Sequence, residues 1–349
     1  MDRTNKFVVG ILGMMVGLFF SILIVHFQGN SPWDVFRALM SYSIGDSISI
    51  ISTLNSTTPL ILTGISAAIA WEAGAINLGQ PGQFLAGAIT SALLGIYLPF
   101  SAWISIPLIL IGAALAGALW SGLAAFFRKR YGMDEFVSTL MLNFVAEYFT
   151  EYLATYPFLD PKAYVASTYI IKKEFFISTP NQFNMGIYIA VALAIFSWWV
   201  AKKWIIGYEW KMMGLNFRFT HIGGCDISRN YIWVMLYSGA LSGLAGGLLI
   251  LGGTQHRFMK GIGGNFGWDG VMLAMIGGND VTMTTLYAFF FGALKAGGIG
   301  MEFDTSVPSE FILVIEAIIV ISVVATRSII NFYGARLRAY IKAKKVVKR

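Results

Sequence analysis

Charged residues are scarce in this chain. Only 12% of its 349 residues are Asp, Glu, Lys or Arg, while 56% are hydrophobic. A soluble domain typically has about 25% charged residues. The composition therefore excludes an ordinary soluble enzyme and predicts an all-α, polytopic membrane protein.

Cysteine is nearly absent as well, and so are the common catalytic motifs. The single cysteine, Cys225, excludes a disulfide framework, and the three histidines are too scattered to form a metal-ligand pattern. There is no G-x-x-x-x-G-K-[ST] nucleotide loop, no H-E-x-x-H and no G-x-S-x-G. We expect no catalytic residue, metal or cofactor on this chain, which argues against a membrane-embedded hydrolase.

Long hydrophobic runs predict ten membrane spans, because a bilayer-crossing helix needs roughly 20 apolar residues. The predicted spans are 7–27, 52–75, 82–98, 103–127, 134–156, 185–204, 229–251, 267–280, 283–299 and 309–329. The eighth is too short to cross unaided, as is typical of a broken helix. Small residues four apart, such as Gly239 and Gly243 or Ala113 and Gly117, predict close helix packing.

The distribution of Lys and Arg predicts the orientation. With both termini in the cytoplasm, 18 of these residues lie inside and 6 outside, as the positive-inside rule requires. The net charge of +7 then follows from topology. We expect the basic tail 336–349 to lie against anionic lipid and not to bind nucleic acid.

One motif occurs twice, 188 residues apart, at Asn77–Ala86 (NLGQPGQFLA) and Asn265–Ala274 (NFGWDGVMLA). Matched interruptions of hydrophobic runs indicate a transporter built from an inverted repeat. We predict one transmembrane domain, 1–349, whose repeat halves are about 52–156 and 229–329. The first motif is expected near the inner face and the second near the outer face.

Polar residues inside the predicted spans are the candidates for a substrate pathway. A charge near mid-bilayer costs at least about 2.5–3.5 kcal/mol, so each needs a partner or a wet cavity. Lys295 is expected either to form a buried ion pair with Asp269 or Glu316 or to contact substrate. Amides suit a neutral solute rich in hydroxyls and amides, although capping of a broken helix is the alternative, and aromatic rings can stack on a base or sugar. The candidate pathway residues are Glu72, Asn77, Gln80, Gln83, Phe84, Asn143, Trp268 and Asp269.

Two loops are long enough to have a role. The external loop 157–184 either docks an external partner or simply connects two spans. The internal loop 207–228 mixes apolar residues with charges, and a short helix is predicted over Asn216–Ile222, ended by Gly223 and Gly224. Such a helix suits the transmission of force to a soluble partner. An interfacial helix is also predicted after Pro32.

Four segments carry a resemblance to a known family. They are GAINLGQPGQFLAGAI (74–89), RYGMDEFVSTLMLNFVA (130–146), KMMGLN (211–216) and the block 238–312, which includes GWDGVMLAMIGGND, FGALKAGG and VPSEFI. Together they resemble the permease subunits of bacterial ABC importers for nucleosides and simple sugars, in the ribose- and branched-chain-amino-acid-type superfamily.

The resemblance implies a set of partners. Two permeases lie side by side in the bacterial cytoplasmic membrane, with cytoplasmic ATPase subunits that hold ATP and Mg²⁺ and an external substrate-binding protein, often lipid-anchored. The length and the external loop resemble the longer member of a permease heterodimer. The loop around Lys211–Gly223 corresponds to a coupling helix, with Lys211, Gly214, Leu215, Asn216, Phe217, Arg218, Phe219 and His221 as the docking residues. Family members often have small residues after the Gly-x-Asn element, where this chain has bulky ones.

The expected substrate is a purine or pyrimidine nucleoside. Simple sugars and branched-chain amino acids are the alternatives within the same class of importer. A stand-alone, proton-coupled secondary transporter using Glu72, Glu147 or Asp269 is a different interpretation of the same residues, and a membrane scaffold or enzyme without transport is a third.

Overall fold

The computed structural model describes residues 3–27, 29, 31–305 and 307–346, and this part of the chain is built from helices without any β-strand. Its α-helices are α1 (Arg3–Phe27), α2 (Pro32–Ile44), α3 (Ser47–Glu72), α4 (Gln80–Tyr97), α5 (Ala102–Tyr131), α6 (Glu135–Thr155), α7 (Gly186–Lys203), α8 (Ile205–Leu215), α9 (Phe217–Ile222), α10 (Ile227–Gly252), α11 (Phe266–Gly277), α12 (Val281–Asp304) and α13 (Phe311–Val346). The prediction of an all-α polytopic membrane protein is confirmed.

Each of the ten predicted spans coincides with a helix, namely α1, α3 to α7 and α10 to α13. Among the described residues, six of these helices are long and apolar enough to cross a membrane: α1, α3, α5, α7, α10 and α13. With 12 residues, α11 is apolar but too short to span, as predicted for the eighth span. Of the remaining helices, α2 begins at Pro32, where a helix was predicted, and α8 and α9 lie in the predicted internal loop.

Several helices begin where an Asp or Asn side chain caps the first turn. The Asp46 carboxylate accepts a hydrogen bond from the Ser49 amide at 2.7 Å, and Asp134 accepts from the Val137 amide at 3.1 Å. Such caps satisfy N–H groups that have no partner within the helix. At the other end, α5 stops at Gly132, whose φ of 68° is favourable for glycine.

The chain divides into two compact units, residues 1–42 with 297–349 and residues 43–296. In the first unit α1 packs on α13 through small residues. A Cβ added at Gly13 would lie 2.5 Å from the Val323 Cα, and one added at Gly17 would lie 2.7 Å from the Ile319 Cα. Glycine at these two positions therefore lets the two helices approach closely.

In the second unit α10 is the central helix, packed against α3, α4 and α5. A Cβ added at Gly239 would lie 2.4 Å from the Gly117 carbonyl oxygen, and one at Gly243 would lie 2.3 Å from the Ala113 carbonyl oxygen. The predicted close packing through these small residues is confirmed. It brings α10 near enough for its serines to reach the first repeat motif.

Candidate substrate pathway and coupling segment

Both copies of the repeated motif open a helix. Gln80 begins α4, with Pro81 in its first turn, where a missing N–H costs nothing. Phe266 begins α11. The sequence pattern thus marks two helix starts inside the apolar part of the chain.

The two helix starts meet in space. A Cβ added at Gly267 would lie 2.5 Å from the Cα of Pro81, so only glycine fits there. The Phe84 and Phe266 rings stack with their centroids 6.1 Å apart. The expectation that the motifs lie near opposite faces is therefore wrong. The reason is that non-helical segments, 73–79 and 253–265, carry the chain from the preceding helix ends back to a common position.

From this common position α4 and α11 run in opposite directions. At the end of α4, the Gly95 carbonyl accepts a hydrogen bond from the Lys172 amide in the predicted external loop, at 3.2 Å. Just past the end of α11, Asp280 forms an ion pair with Lys202 at the end of α7, at 3.3 Å. This antiparallel arrangement is the one expected of two repeat halves with inverted topology.

Asn77 holds the first break together. Its Oδ1 accepts hydrogen bonds from the Gly79 amide at 2.8 Å and from the Gln83 side chain at 2.9 Å, and its Nδ2 donates to the Ser238 hydroxyl at 2.8 Å. Asn77 and Gln83 are buried. Because these bonds occupy the Asn77 amide, its role here is to stabilise the broken backbone.

Helix α6 supports the same break from the side. Asn143 donates to the Leu78 carbonyl at 2.8 Å and accepts from the Gly82 amide at 2.9 Å, and Thr139 accepts from the Leu78 amide at 3.2 Å. These bonds satisfy backbone groups that a broken helix leaves open in an apolar environment. Among the described residues, the fully buried Gln80 has no hydrogen-bond partner for its side-chain amide.

Hydroxyl side chains that the motifs did not predict also belong to this cluster. Ser238 bonds both Asn77 and Ser66, and the Ser242 hydroxyl donates to the Gln80 carbonyl at 2.8 Å. Their positions could have been predicted from the sequence, because Ser238 and Ser242 are four residues apart and therefore lie on one face of the glycine-rich α10.

The second motif contributes one buried and one accessible residue. Asp269 is fully buried and forms an ion pair with Lys295 at 2.7 Å, which confirms the predicted pair. Trp268 is 38% exposed and lines a cavity of about 300 Å³ together with Phe84 and Asn143. Thus Trp268 lies beside the amide side chains that surround the first break, while the Asp269 carboxylate pairs with Lys295.

Glu72 does not join this group. It ends α3 and lies 3.8 Å from Lys202 and 3.9 Å from Lys211, measured between the charged atoms. Since Lys202 also pairs with Asp280, the four side chains form one charged cluster. Glu72 is placed there because α3 ends before the chain turns back towards Asn77.

The internal loop forms α8 and α9. A Cβ added at Gly214, near the end of α8, would lie 2.2 Å from the Glu72 carbonyl oxygen, so this segment packs backbone to backbone on the end of α3. Asn216 caps α9 by accepting from the Phe219 amide at 2.9 Å. The short helix predicted over Asn216–Ile222, ended by Gly223, is confirmed.

Most of the large exposed side chains on α9 and at the end of α8 are apolar. Leu215, Phe217, Phe219 and Ile222 are 69%, 58%, 62% and 85% exposed, whereas Thr220 is buried. Arg218 and His221 are also exposed. An apolar patch with charges at its edge is typical of a surface that docks a partner.

Comparison with known proteins agrees with this arrangement. The family model described as "Branched-chain amino acid transport system / permease component" matches residues 49–324. The chain is 30% identical to the guanosine ABC transporter permease protein NupP of Bacillus subtilis, over 94% of this chain and 95% of that protein. It is 28% identical to the nucleoside ABC transporter permease protein NupB of Lactococcus lactis, over 100% and 98%. It is 26% identical to the glucose ABC transporter permease protein TsgB13 of Haloferax volcanii, over 84% and 81%.

In each of the first two bacteria the chain is also similar to a second, different permease protein, over 58% and 63% of its length. No solved structure matches the chain. The family model covers well over half of the chain, and its matched region contains both motifs, the buried amides around the first break, and helices α8 and α9. The chain therefore belongs to the permease components of branched-chain amino acid type transport systems, and within them to ABC permeases of the nucleoside and simple-sugar type.

Proposed function

We propose that this protein is a membrane-spanning subunit of an ATP-driven importer that carries nucleosides into the bacterial cytoplasm. The names of two similar permeases refer to guanosine and to nucleosides, and one refers to glucose, so a simple sugar is the alternative substrate. The amide-rich break, beside which Lys295 is paired with Asp269 and Lys260 with Glu151, suits a neutral solute of either kind.

The proposed assembly follows from the family. A second, non-identical permease lies beside this one, ATPase subunits bind at its cytoplasmic side, and an external binding protein delivers the substrate. Similarity to two different permeases in each of two bacteria supports the heterodimer. The charge bias of the loops supports cytoplasmic termini.

The observation that carries the proposal is the way in which α8 and α9, the proposed coupling segment, are attached to the rest of the chain. Gly214 packs directly on the end of α3. The first break, residues 73–79, begins immediately after that helix end. Lys211 pairs with Glu72, and Lys202 joins Glu72 to Asp280, just past the end of α11. A displacement of α8 and α9 therefore acts on both broken helices at once.

In the proposed cycle, ATP binding closes the partner ATPases and moves α9. The movement reaches the starts of α4 and α11 through the charged cluster, and the pathway between the two permeases opens outward to accept substrate. Hydrolysis returns the coupling segment and opens the pathway inward. The chain's own part is to convert movement at α9 into a rearrangement at the paired breaks.

A substitution in α9 tests this proposal. Phe219→Asp puts a charge on the exposed apolar surface, and loss of one such anchor costs roughly 2 kcal/mol, or about 30-fold in affinity. We expect the ATPase to co-purify poorly and ATP-driven nucleoside uptake into liposomes to fall in parallel. The matched control is Tyr164→Asp, which places the same charge at a fully exposed position of the external loop.

If Phe219→Asp, or replacement of 214–221 by a flexible linker, leaves both co-purification and uptake intact, α9 is not the coupling element. Purification of the tagged chain from its native membranes tests the partners directly. Recovery of an ATPase and a second permease supports the importer. Recovery of the chain alone, with ATP-independent transport driven by a proton gradient, supports the secondary transporter instead.

A further inference from the structure

The cavity of about 300 Å³ beside the paired breaks has walls suited to a particular kind of solute. It is bounded by the start of α4, by the later half of α6 and by the segment that leads into α11. Its volume lies at the lower end of the range for small-molecule sites, about 300–1,000 Å³. A single small solute fits this space and an oligomer does not.

Two aromatic side chains offer accessible ring surface. Trp268 and Phe144 are 38% and 50% exposed, while Phe84 and Phe258 behind them are buried. An exposed indole or phenyl ring beside a cavity favours a flat ring or the apolar face of a sugar. The buried pair keeps this wall in place.

Two polar side chains of the cavity lining are available to bind a solute, namely the carboxylate of Glu147 and the amide of Asn265. The Asn143 amide is already used by Leu78 and Gly82. Asn265 makes no side-chain cap bond at the start of α11, and among the described residues the Glu147 carboxylate has no ion-pair partner. A carboxylate accepts hydrogen bonds from hydroxyls, and an amide both donates and accepts.

The charge of the cavity restricts the solute further. Lys260 is engaged by Glu151 in an ion pair, and hydrogen bonding to that carboxylate raises the pKa of Lys260. Glu147 also lies within electrostatic reach of Lys260, but one lysine faces two carboxylates. The lining residues therefore carry a net charge of −1, and the cavity disfavours an anion. A nucleoside carries a flat ring and ribose hydroxyls without a charge, whereas its phosphorylated form is anionic.

We propose that this cavity is a subsite that holds one nucleoside during its passage, with Glu147, Asn265 and Trp268 as the contacting side chains. The inference rests on the proposed importer and adds that this chain itself distinguishes nucleosides from nucleotides. Ribose hydroxyls bond Glu147 and Asn265, and the base lies against Trp268.

The test uses a single reporter cysteine in the assembled transporter. Because the chain has one cysteine, Cys225→Ser combined with Leu85→Cys leaves one thiol, on the cavity wall. Its rate of reaction with a water-soluble maleimide is measured with and without guanosine. At about ten times the dissociation constant, guanosine should slow labelling by about tenfold, since roughly one site in eleven stays free. Guanosine 5′-monophosphate should give no protection.

Adding Glu147→Gln should raise the guanosine concentration for half-protection by about tenfold, because a charged hydrogen bond becomes a neutral one. It should also let the monophosphate protect. The matched control is Tyr148→Phe, on the neighbouring position of α6 that does not line the cavity, and it should change neither result. A reporter at Tyr148→Cys should label at the same rate with or without nucleoside.

The outcomes separate the subsite from the importer. If uptake of guanosine is normal but labelling of the cavity thiol is unaffected by saturating guanosine, the subsite is wrong and the importer stands. If the monophosphate protects as well as guanosine does, the charge argument is wrong and the subsite assignment falls with it. Protection without ATP-driven uptake supports the subsite and refutes only the importer.

Discussion

The Asp269–Lys295 ion pair gives the sharpest prediction about the second broken helix. The charged atoms are 2.7 Å apart, Asp269 is fully buried and the Lys295 side chain is 17% exposed. At an effective dielectric constant of about 20, the attraction at this distance is about 6 kcal/mol before desolvation is subtracted. Removing one partner of such a pair typically costs 3–5 kcal/mol, because the other charge is left buried and unpaired.

The double-mutant cycle uses Lys295→Met, Asp269→Asn and the two combined. Lys295→Met should lower the free energy of unfolding of the detergent-purified permease by about 3–5 kcal/mol. The double variant, in which neither charge of this pair remains, should recover most of that loss, for an interaction energy of at least about 2 kcal/mol. The control is Lys260→Met, which breaks a pair whose lysine is 60% exposed and should cost no more than about 1 kcal/mol.

Two results would refute this reasoning. If the losses of the single variants simply add in the double variant, the two side chains do not stabilise each other. If Asp269→Asn leaves stability unchanged but abolishes uptake, the carboxylate contacts substrate instead of serving the fold. In that case the pathway extends further along α11 than the cavity beside Trp268.

One further prediction concerns the contact between the two helix breaks, and another concerns the external loop. Gly267→Ala places a methyl group against the Pro81 backbone, and it should cost about 1–3 kcal/mol of stability and reduce uptake. The control Gly122→Ala meets only the end of one leucine side chain and should be nearly neutral in thermal unfolding. Equal effects of the two substitutions would contradict the tight contact at Gly267. His256 stacks on Phe176 with the ring centroids 3.5 Å apart, and burial lowers the pKa of His256 below its ordinary 6.5. The unfolded chain therefore binds the proton more readily, so stability should fall as the pH drops below about 6.5. Thermal unfolding measured at several pH values should show this loss of stability. If the His256→Gln variant loses as much stability over the same pH range, His256 is not its cause.

Much of the fold could be predicted because helix position depends on local sequence. Apolar runs located all ten predicted helices, and the small number of apolar residues after Asn265 indicated that α11 is short. The Asn–Gly signals at Asn216 and Gly223 predicted α9 to within one residue. In each case the deciding factors, apolar length and the hydrogen bonds of the helix ends, lie within a few residues along the chain.

The candidate site was only partly predictable. The clustering of Asn77 and Gln83 around the first break followed from the motif, but the contact of Asn143 with that break did not. The use of these amides as backbone caps was not predictable either, because an amide can bind a solute or a backbone group equally well. Nor could the sequence place Glu72 in the charged cluster with Lys202, or show that Pro81 meets Gly267. Those outcomes depend on which segments pack together.

The sequence by itself determined a helical membrane protein with two matched helix breaks and a short helix in the loop between α7 and α10. These properties come from composition and from signals that act over a few residues. Only the tertiary structure decided that both breaks share one position, that Lys295 pairs with Asp269, and that a cavity with two carboxylates and one lysine opens beside Trp268. The physical reason is that burial and pairing in the membrane depend on neighbours far apart in the chain, brought together by close packing at glycines.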